Sequence, residues 1–351
     1  MKQKILQSNM LLTLISIVIG FIFGAILLLC IRINPGVAYA KLFTGVFSQF
    51  KYILYSAVYA SPLIFTGLSV AFSFKTGVFN IGAEGQFVVG SLAACLIGIF
   101  VDVPAILHVP LCLLAAMAAG VLWSAVVGYL KVARGINEVL SYIMFNWIAF
   151  YLSNYVVNIP AVHKEGGGEA TKDILASAKM TAPSFITQIC SYANWGFLLA
   201  IACAFLVWFT IEKTTLGFQL RAVGHSRTAA EYAGISSNRI FLTSMSISGA
   251  LAGLGGAVQI LGMSGRLSQF AGQEGYGFQG ITVALIASSN PVGCIFSGLF
   301  YGAMKYGGSK LSIVGVPNEV VNIIMGTIIF FIAISQVFRL LLNRKKKGGV
   351  A

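Results

Sequence analysis

Acidic residues are scarce in this chain. Ten Asp and Glu stand in 351 residues against 23 Lys and Arg, and charged residues make up only 9%. Soluble domains carry roughly 25% charged residues, so an ordinary soluble globule is excluded. The net charge of +13 does not signal nucleic-acid binding. The basic residues are scattered between apolar runs and gather at the chain ends, which is the positive-inside pattern of a membrane protein. Metal and enzyme chemistry also lack material. His108, His163 and His225 are far apart with no ligand spacing. Cys30, Cys95, Cys112, Cys190, Cys203 and Cys294 form no Cys-x-x-Cys pair, and most sit in apolar runs as small hydrophobes. Only Cys190, in a polar loop, is placed to oxidise. There is no Gly-x-x-x-x-Gly-Lys-Ser/Thr phosphate loop, no Gly-x-Ser-x-Gly elbow and no suitably spaced acid pair.

What is abundant is apolar sequence, at 58%. Several runs approach the ~20 residues that cross a bilayer. Met10–Ile31 is too long for a signal-peptide core and reads as a retained first span. A loop with Arg32, Pro35 and Lys41 leads to Tyr52–Phe74, where Pro62 predicts a kink. Further spans are expected to end near Phe100, Leu130 and Val157. A long extracytoplasmic loop covers 158–194, with room for an amphipathic element at Phe185–Cys190. Trp195–Ile211 returns to the cytoplasm. Ile240–Leu261 is rich in small residues, and Gly249 and Gly253, four apart, predict close helix packing. Gly277–Ser289 and Val292–Met304 are short, and Ser288–Pro291 separates them; they read as a broken or re-entrant hairpin. Glu319–Phe338 is the last span. The expectation is an all-α polytopic fold with about ten transmembrane segments, one permease domain over 1–351, and both termini cytoplasmic. The larger inner share of Lys and Arg supports that orientation.

A carboxylate at membrane depth is costly, so Glu84 is a functional candidate, or else an interfacial capping group. Asn80 and Gln86 flank it. Glu138, Tyr142 and Asn146 are four apart and share one helix face. Asn146 suits a solute pathway or interhelical bonding, whereas Glu138 and the N-cap Asn137 serve the helix end. Gln273, Glu274 and Gln279 open the short hairpin from outside, and Tyr276 and Phe278 offer aromatic faces. Between spans, 214–239 (TTLGFQLRAVGHSRTAAEYAGISSNR) is the one long charged segment expected on the cytoplasmic side; its alanines favour a short helix bounded by Gly224 and Gly234.

Four stretches occur in order: FNIGAEGQ at Phe79–Gln86, GINEVLSYIMFN at Gly135–Asn146, Ala229–Gly234, and GYGFQGITVALIASSNP at Gly275–Pro291. Together they resemble permeases of the branched-chain amino acid/ribose superfamily of bacterial ABC importers, most closely the nucleoside (guanosine-type) branch. Simple-sugar permeases share much of the pattern. Thr228 stands where the family's Glu-Ala-Ala-x-x-x-Gly docking motif has Glu. The resemblance implies a transport subunit rather than an enzyme, in the bacterial cytoplasmic membrane. It would work with a second, different permease subunit, ABC ATPase subunits that bind ATP, and an extracytoplasmic solute-binding protein. No cofactor is expected in this chain. Asn80, Glu84, Gln86, Asn146 and Gln279 would line the solute pathway; Arg221, Gly224, Ala229, Ala230 and Gly234 would couple to the ATPase. An ion-coupled secondary transporter is the competing class, since Glu84 and the broken hairpin suit it too.

Overall fold

The computed structural model describes residues 9–166, 168–317, 320–328, 330–331 and 334. Among these, every extended regular element is a helix; isolated β-bridges pair His163 with Thr171, Ala170 with Ser268 and Thr181 with Asn194. The helices are α1 (Asn9–Cys30), α2 (Pro35–Phe47), α3 (Phe50–Phe74), α4 (Ala83–Phe100), α5 (Ala105–Arg134) and α6 (Glu138–Val157). They continue with α7 (Gly196–Lys213), α8 (Thr215–His225), α9 (Arg227–Tyr232), α10 (Ser237–Gln259), α11 (Tyr276–Ile286) and α12 (Pro291–Ser309). Among the described residues, five helices are long and apolar enough to cross a membrane: Phe50–Phe74, Ala83–Phe100, Ala105–Arg134, Gly196–Lys213 and Ser237–Ser264. The chain is a multi-pass membrane protein. Lys2, Lys4, parts of the expected last span, and the basic residues Arg339, Arg344 and Lys345–Lys347 lie outside the described residues.

The chain forms two compact units, one of residues 1–56 with 303–351 and one of 57–302. In the first, the stretch expected to be a loop around Pro35 and Lys41 is instead helix α2. Its start has a local cause. Arg32 turns the chain at φ 60, Asn34 accepts from the Gly36 N–H at 2.9 Å, and Pro35 occupies the first turn. Ala38, Leu42 and Val46, four apart, form its buried face. The Tyr39 hydroxyl donates to the Phe21 carbonyl at 2.5 Å, tying α2 back to α1.

In the second unit, α4, α5 and α10 pack through residues without side chains. A Cβ on Gly120 would strike the Gly249 carbonyl, one on Gly253 the Ala116 carbonyl, and one on Gly90 the Gly253 backbone. The glycines let the helix backbones touch, which is how helices associate where lipid removes the hydrophobic drive. Helix α10 does not stop at Gln259; it winds on as a π-turn over Ile260–Ser264. Asn137 caps α6, accepting from Val139 N at 2.9 Å, and Glu138 pairs with Lys131 at 2.6 Å.

The hairpin is broken where expected. Ser288 and Ser289 take φ of 49° and 56°, and the Asn290 side chain accepts from Val292 N (3.0 Å) and Gly293 N (3.1 Å) to start α12. The 158–194 loop is shaped by backbone bonds such as Thr171 N to Leu267 O at 2.9 Å. Its expected amphipathic element is a single turn, Ser184–Thr187. Cys190 is fully buried, so it is not placed to oxidise.

Candidate functional site

The segment between α3 and α4 ends in an irregular run, residues 78–82, that carries backbone groups no helix satisfies. Side chains supply the partners. Asn146 of α6 accepts from Gly85 N at 2.8 Å and donates to the Ile81 carbonyl at 3.1 Å. It is 2% exposed and clamps the start of α4. Asn80 points the other way. Its amide nitrogen lies 2.6 Å from Ser248 Oγ, 3.0 Å from Gln86 Oε1 and 3.2 Å from Ser69 Oγ. Gln86 donates to Ser124 Oγ at 3.2 Å, and Ser124 lies 3.0 Å from the Tyr142 hydroxyl and donates to the Met245 carbonyl at 2.7 Å. The result is a buried polar network joining α3, α4, α5, α6 and α10. Buried polar groups must be paired or they cost ~1–3 kcal/mol each, so this network specifies one arrangement of the five helices.

Glu84 lies in the first turn of α4 and is 1% exposed. Its two carboxylate oxygens accept from Gly275 N at 2.7 Å and Gly277 N at 2.6 Å. Those N–H groups open α11, where the helix has no acceptor of its own and where a negative charge is favoured. An ionised carboxylate is acceptor-only, and that is the role the geometry uses. Gly277 is required sterically, because a Cβ there would fall on the Glu84 backbone. Phe87 stacks on Tyr276 at 5.0 Å beside the clamp. Gln279 is half-buried in the first turn of α11, its N–H bonded to the Gly275 carbonyl at 2.8 Å.

Asn80, Glu84, Gln86 and Asn146 therefore gather at one place, and Glu84 joins them to the helix that carries Gln279. Ser69, Ser124 and Ser248 belong to the same cluster, and Ser244 lies one helical turn before Ser248; none carries a distinctive sequence signal. In an apolar helix a serine that bonds a distant partner reads the same as one that bonds its own backbone. Asn154, further along α6, holds the Phe270 backbone by two bonds of 2.8 and 2.9 Å.

The segment 214–239 folds as α8 and α9. Thr214 caps α8, accepting from Gly217 N at 3.2 Å, and Ser226 caps α9 through Ala229 N at 3.3 Å. Arg221 pairs with Glu212 at 2.7 Å; Arg227 bonds Asn238 Oδ1 at 2.6 Å. Ala230 is buried, while Ala229 and Gly234 are exposed and Tyr232 is 95% exposed. Gly234 takes φ 80 with open space around it. Gly224 packs directly on the Lys75 carbonyl. Next to it, Thr76 donates to Ser244 Oγ at 2.7 Å. This end of the molecule is thus in contact with the segment that leads into the buried network. Among the described residues no group of His, Cys, Asp and Glu is arranged to hold a metal.

Comparison with known proteins fits this architecture. Residues 52–333 match the family described as branched-chain amino acid transport system / permease component. The chain is 39% identical over 346 residues to the guanosine ABC transporter permease protein NupP of Bacillus subtilis, covering 97% of this chain and 98% of that one. It is 34% identical to the nucleoside ABC transporter permease protein NupB of Lactococcus lactis, over 96% and 94% of the two chains. It is 31% identical to the glucose ABC transporter permease protein TsgB13 of Haloferax volcanii, over 90% and 85%. The chain belongs to the branched-chain amino acid transport system / permease component family.

Proposed function

We propose that this chain is the membrane-spanning permease subunit of a nucleoside ABC importer. The observation that carries the reading is the end-to-end similarity to NupP, which covers 98% of that permease. The proposal includes ten membrane segments with both termini cytoplasmic, one permease domain over 1–351, and placement in the bacterial cytoplasmic membrane. ATP is bound by separate ATPase subunits; this chain carries no cofactor. A second permease subunit completes the pathway, and an extracytoplasmic binding protein covering the 158–194 side delivers the solute.

In this reading 214–239 is the coupling region, with Arg221, Gly224, Ala229, Ala230 and Gly234 at the ATPase contact. Motion of α8 and α9 reaches the membrane through Gly224 on the Lys75–Thr76 backbone. Thr76, Ser244 and the Asn80 network carry it on, and Glu84 hands it to α11. Such a route does work only if its members contact differently in two states. Asn80, Glu84, Gln86, Asn146 and Gln279 are then the polar groups nearest the solute path. Glu84 and Asn146 act there by shaping backbone, and Gln279, half-buried on α11, is the better candidate for direct contact.

The test is ATP hydrolysis by the purified complex in nanodiscs. Stimulation by nucleoside-loaded binding protein, and none by the unloaded protein, supports the proposal. Stimulation by a sugar alone would favour the second reading, a simple-sugar permease, which the similarity to TsgB13 keeps in play. A chain that moves solute with no ATPase present would instead be a secondary transporter.

A further inference from the structure

Among its described residues, the first unit contains a basic cluster and no acid. Of the ten acidic residues, only Glu319 falls within 1–56 or 303–351, and it lies outside the described residues. Lys51 and Lys310 converge on one ring: their Nζ atoms lie 5.2 and 5.7 Å from the Tyr52 centroid. Lys310 also lies 5.2 Å from Tyr306, which stacks on Tyr55 at 5.3 Å. The stem of Lys310 crosses Gly45 of α2, and Lys41 stands one helical turn before Gly45. Lys41, Lys51 and Lys310 make no ion pair among the described residues. The Lys51 and Lys310 ammonium groups, converging on one ring, repel one another unless an anion sits between them, and Lys41 adds a third positive charge on the neighbouring helix.

Around the lysines the surface is apolar. Phe43, Phe47, Phe50 and Ile53 are 43–65% exposed. Helix α2 has 13 residues, about 20 Å, too short for a hydrocarbon core of about 30 Å. A short helix with one buried face, exposed aromatics and a lysine has the composition of an interfacial element. Tyrosines belong at the same depth, and lysine stems lie along apolar surface while their heads reach the phosphate layer.

We propose that the corner of α2, α3 and the end of α12 binds the phosphate of an anionic phospholipid. Lys41, Lys51 and Lys310 are the cationic ligands, and the exposed aromatic face takes the acyl chains. The site is independent of which solute the permease carries. It fastens the first unit to the membrane surface by charge.

Native mass spectrometry tests it on the full chain in its complex, released from nanodiscs of equal phosphatidylglycerol and phosphatidylcholine. The wild type retains phosphatidylglycerol preferentially. A juxtamembrane lysine contributes about a fivefold affinity gain. Each single Lys→Gln change then lowers retention about fivefold, and K41Q/K51Q/K310Q lowers it about a hundredfold. The exposed loop change K179Q has no effect. Should the triple variant fail to assemble, the wild type gives the same test by its salt dependence, since raised ionic strength weakens the retention. Equal retention of the two lipids, or retention unmoved by salt and by the single changes, overturns the proposal.

Discussion

Replacing Glu84 with Gln removes one acceptor from a closed arrangement while changing the side-chain volume hardly at all. The native carboxylate accepts from Gly275 N and Gly277 N at 2.7 and 2.6 Å. Hydrogen bonds to a charged partner contribute about 1.5–3 kcal/mol each, and a charge at a helix N-terminus adds about 0.3–1 kcal/mol. Gln keeps one carbonyl oxygen and turns an NH2 group toward the other N–H. One bond and the charge term are lost, about 2–4 kcal/mol in all. At 1.4 kcal/mol per factor of ten, opening of the first turn of α11 rises by roughly 30-fold to 700-fold. Amide hydrogen exchange on the membrane-embedded complex measures this directly, at the Gly275 and Gly277 amides. Exchange in the α10 amides, which do not touch Glu84, stays at its wild-type rate. Glu84→Asp, one methylene shorter, reaches only one of the two amides well and falls between. Wild-type protection at Gly275 and Gly277 in Glu84→Gln would refute the clamp.

Other outcomes follow from the same geometry. Asn146→Leu strands the Gly85 N–H and the Ile81 carbonyl, costing about 1–3 kcal/mol for each, which a thermal-unfolding assay reads as a lower Tm than Asn146→Gln. Gly253→Leu drives a side chain into the Ala116 carbonyl; overpacking costs at least about 1–3 kcal/mol, so folded yield falls while Gly272→Ala, in open space, keeps it. Gly234→Arg meets open space at φ 80; the protein still inserts, and co-purification with the ATPase and transport both drop. Asp173 sits well outside the membrane spans. A hydrogen bond from Lys164, with the charges of Lys164, Arg266 and Lys179, holds its carboxyl below the usual carboxylate range. A lowered folded value means its stabilising effect is present at neutral pH and lost as pH falls through that value. Protection factors, which are corrected for the intrinsic slowing of exchange in acid, therefore fall at the Lys164, Lys172 and Ile174 amides as pH drops, by a small amount because the pair is exposed, and Asp173→Asn removes this pH dependence.

Much of the architecture was legible because membrane helices announce themselves by apolar length. The Asn137 cap was legible too, from its position before an apolar run, whereas the caps at Asn34, Thr214, Ser226 and Asn290 were not read. Helix α2 was missed although Asn34-Pro35 is a helix-start signal. Thirteen residues with Lys41 at their middle and Arg32 just before them look like a loop when the measure is bilayer thickness. Glu84 stood out because an acid in an apolar run demands a partner. That partner is backbone 191 residues downstream, and no local pattern encodes an N–H that becomes available only when a distant helix begins there. Asn146 was found as a member of a polar stripe, but its neighbours diverge. Glu138 turns to Lys131, Tyr142 to Ser124, and Asn146 to Ile81 and Gly85. Helical spacing fixes which residues share a face and leaves open what each will meet. The glycines of α10 were read correctly as packing surface, because small residues four apart have few other uses in a membrane helix.

The most direct test of the central claim is solute uptake into proteoliposomes holding this chain with its co-purified partners, with and without internal ATP and binding protein. The account predicts uptake of guanosine or uridine that needs both and is competed by nucleosides but not by ribose. Uptake that proceeds without ATP or any ATPase subunit, and collapses with the ion gradient, would contradict it.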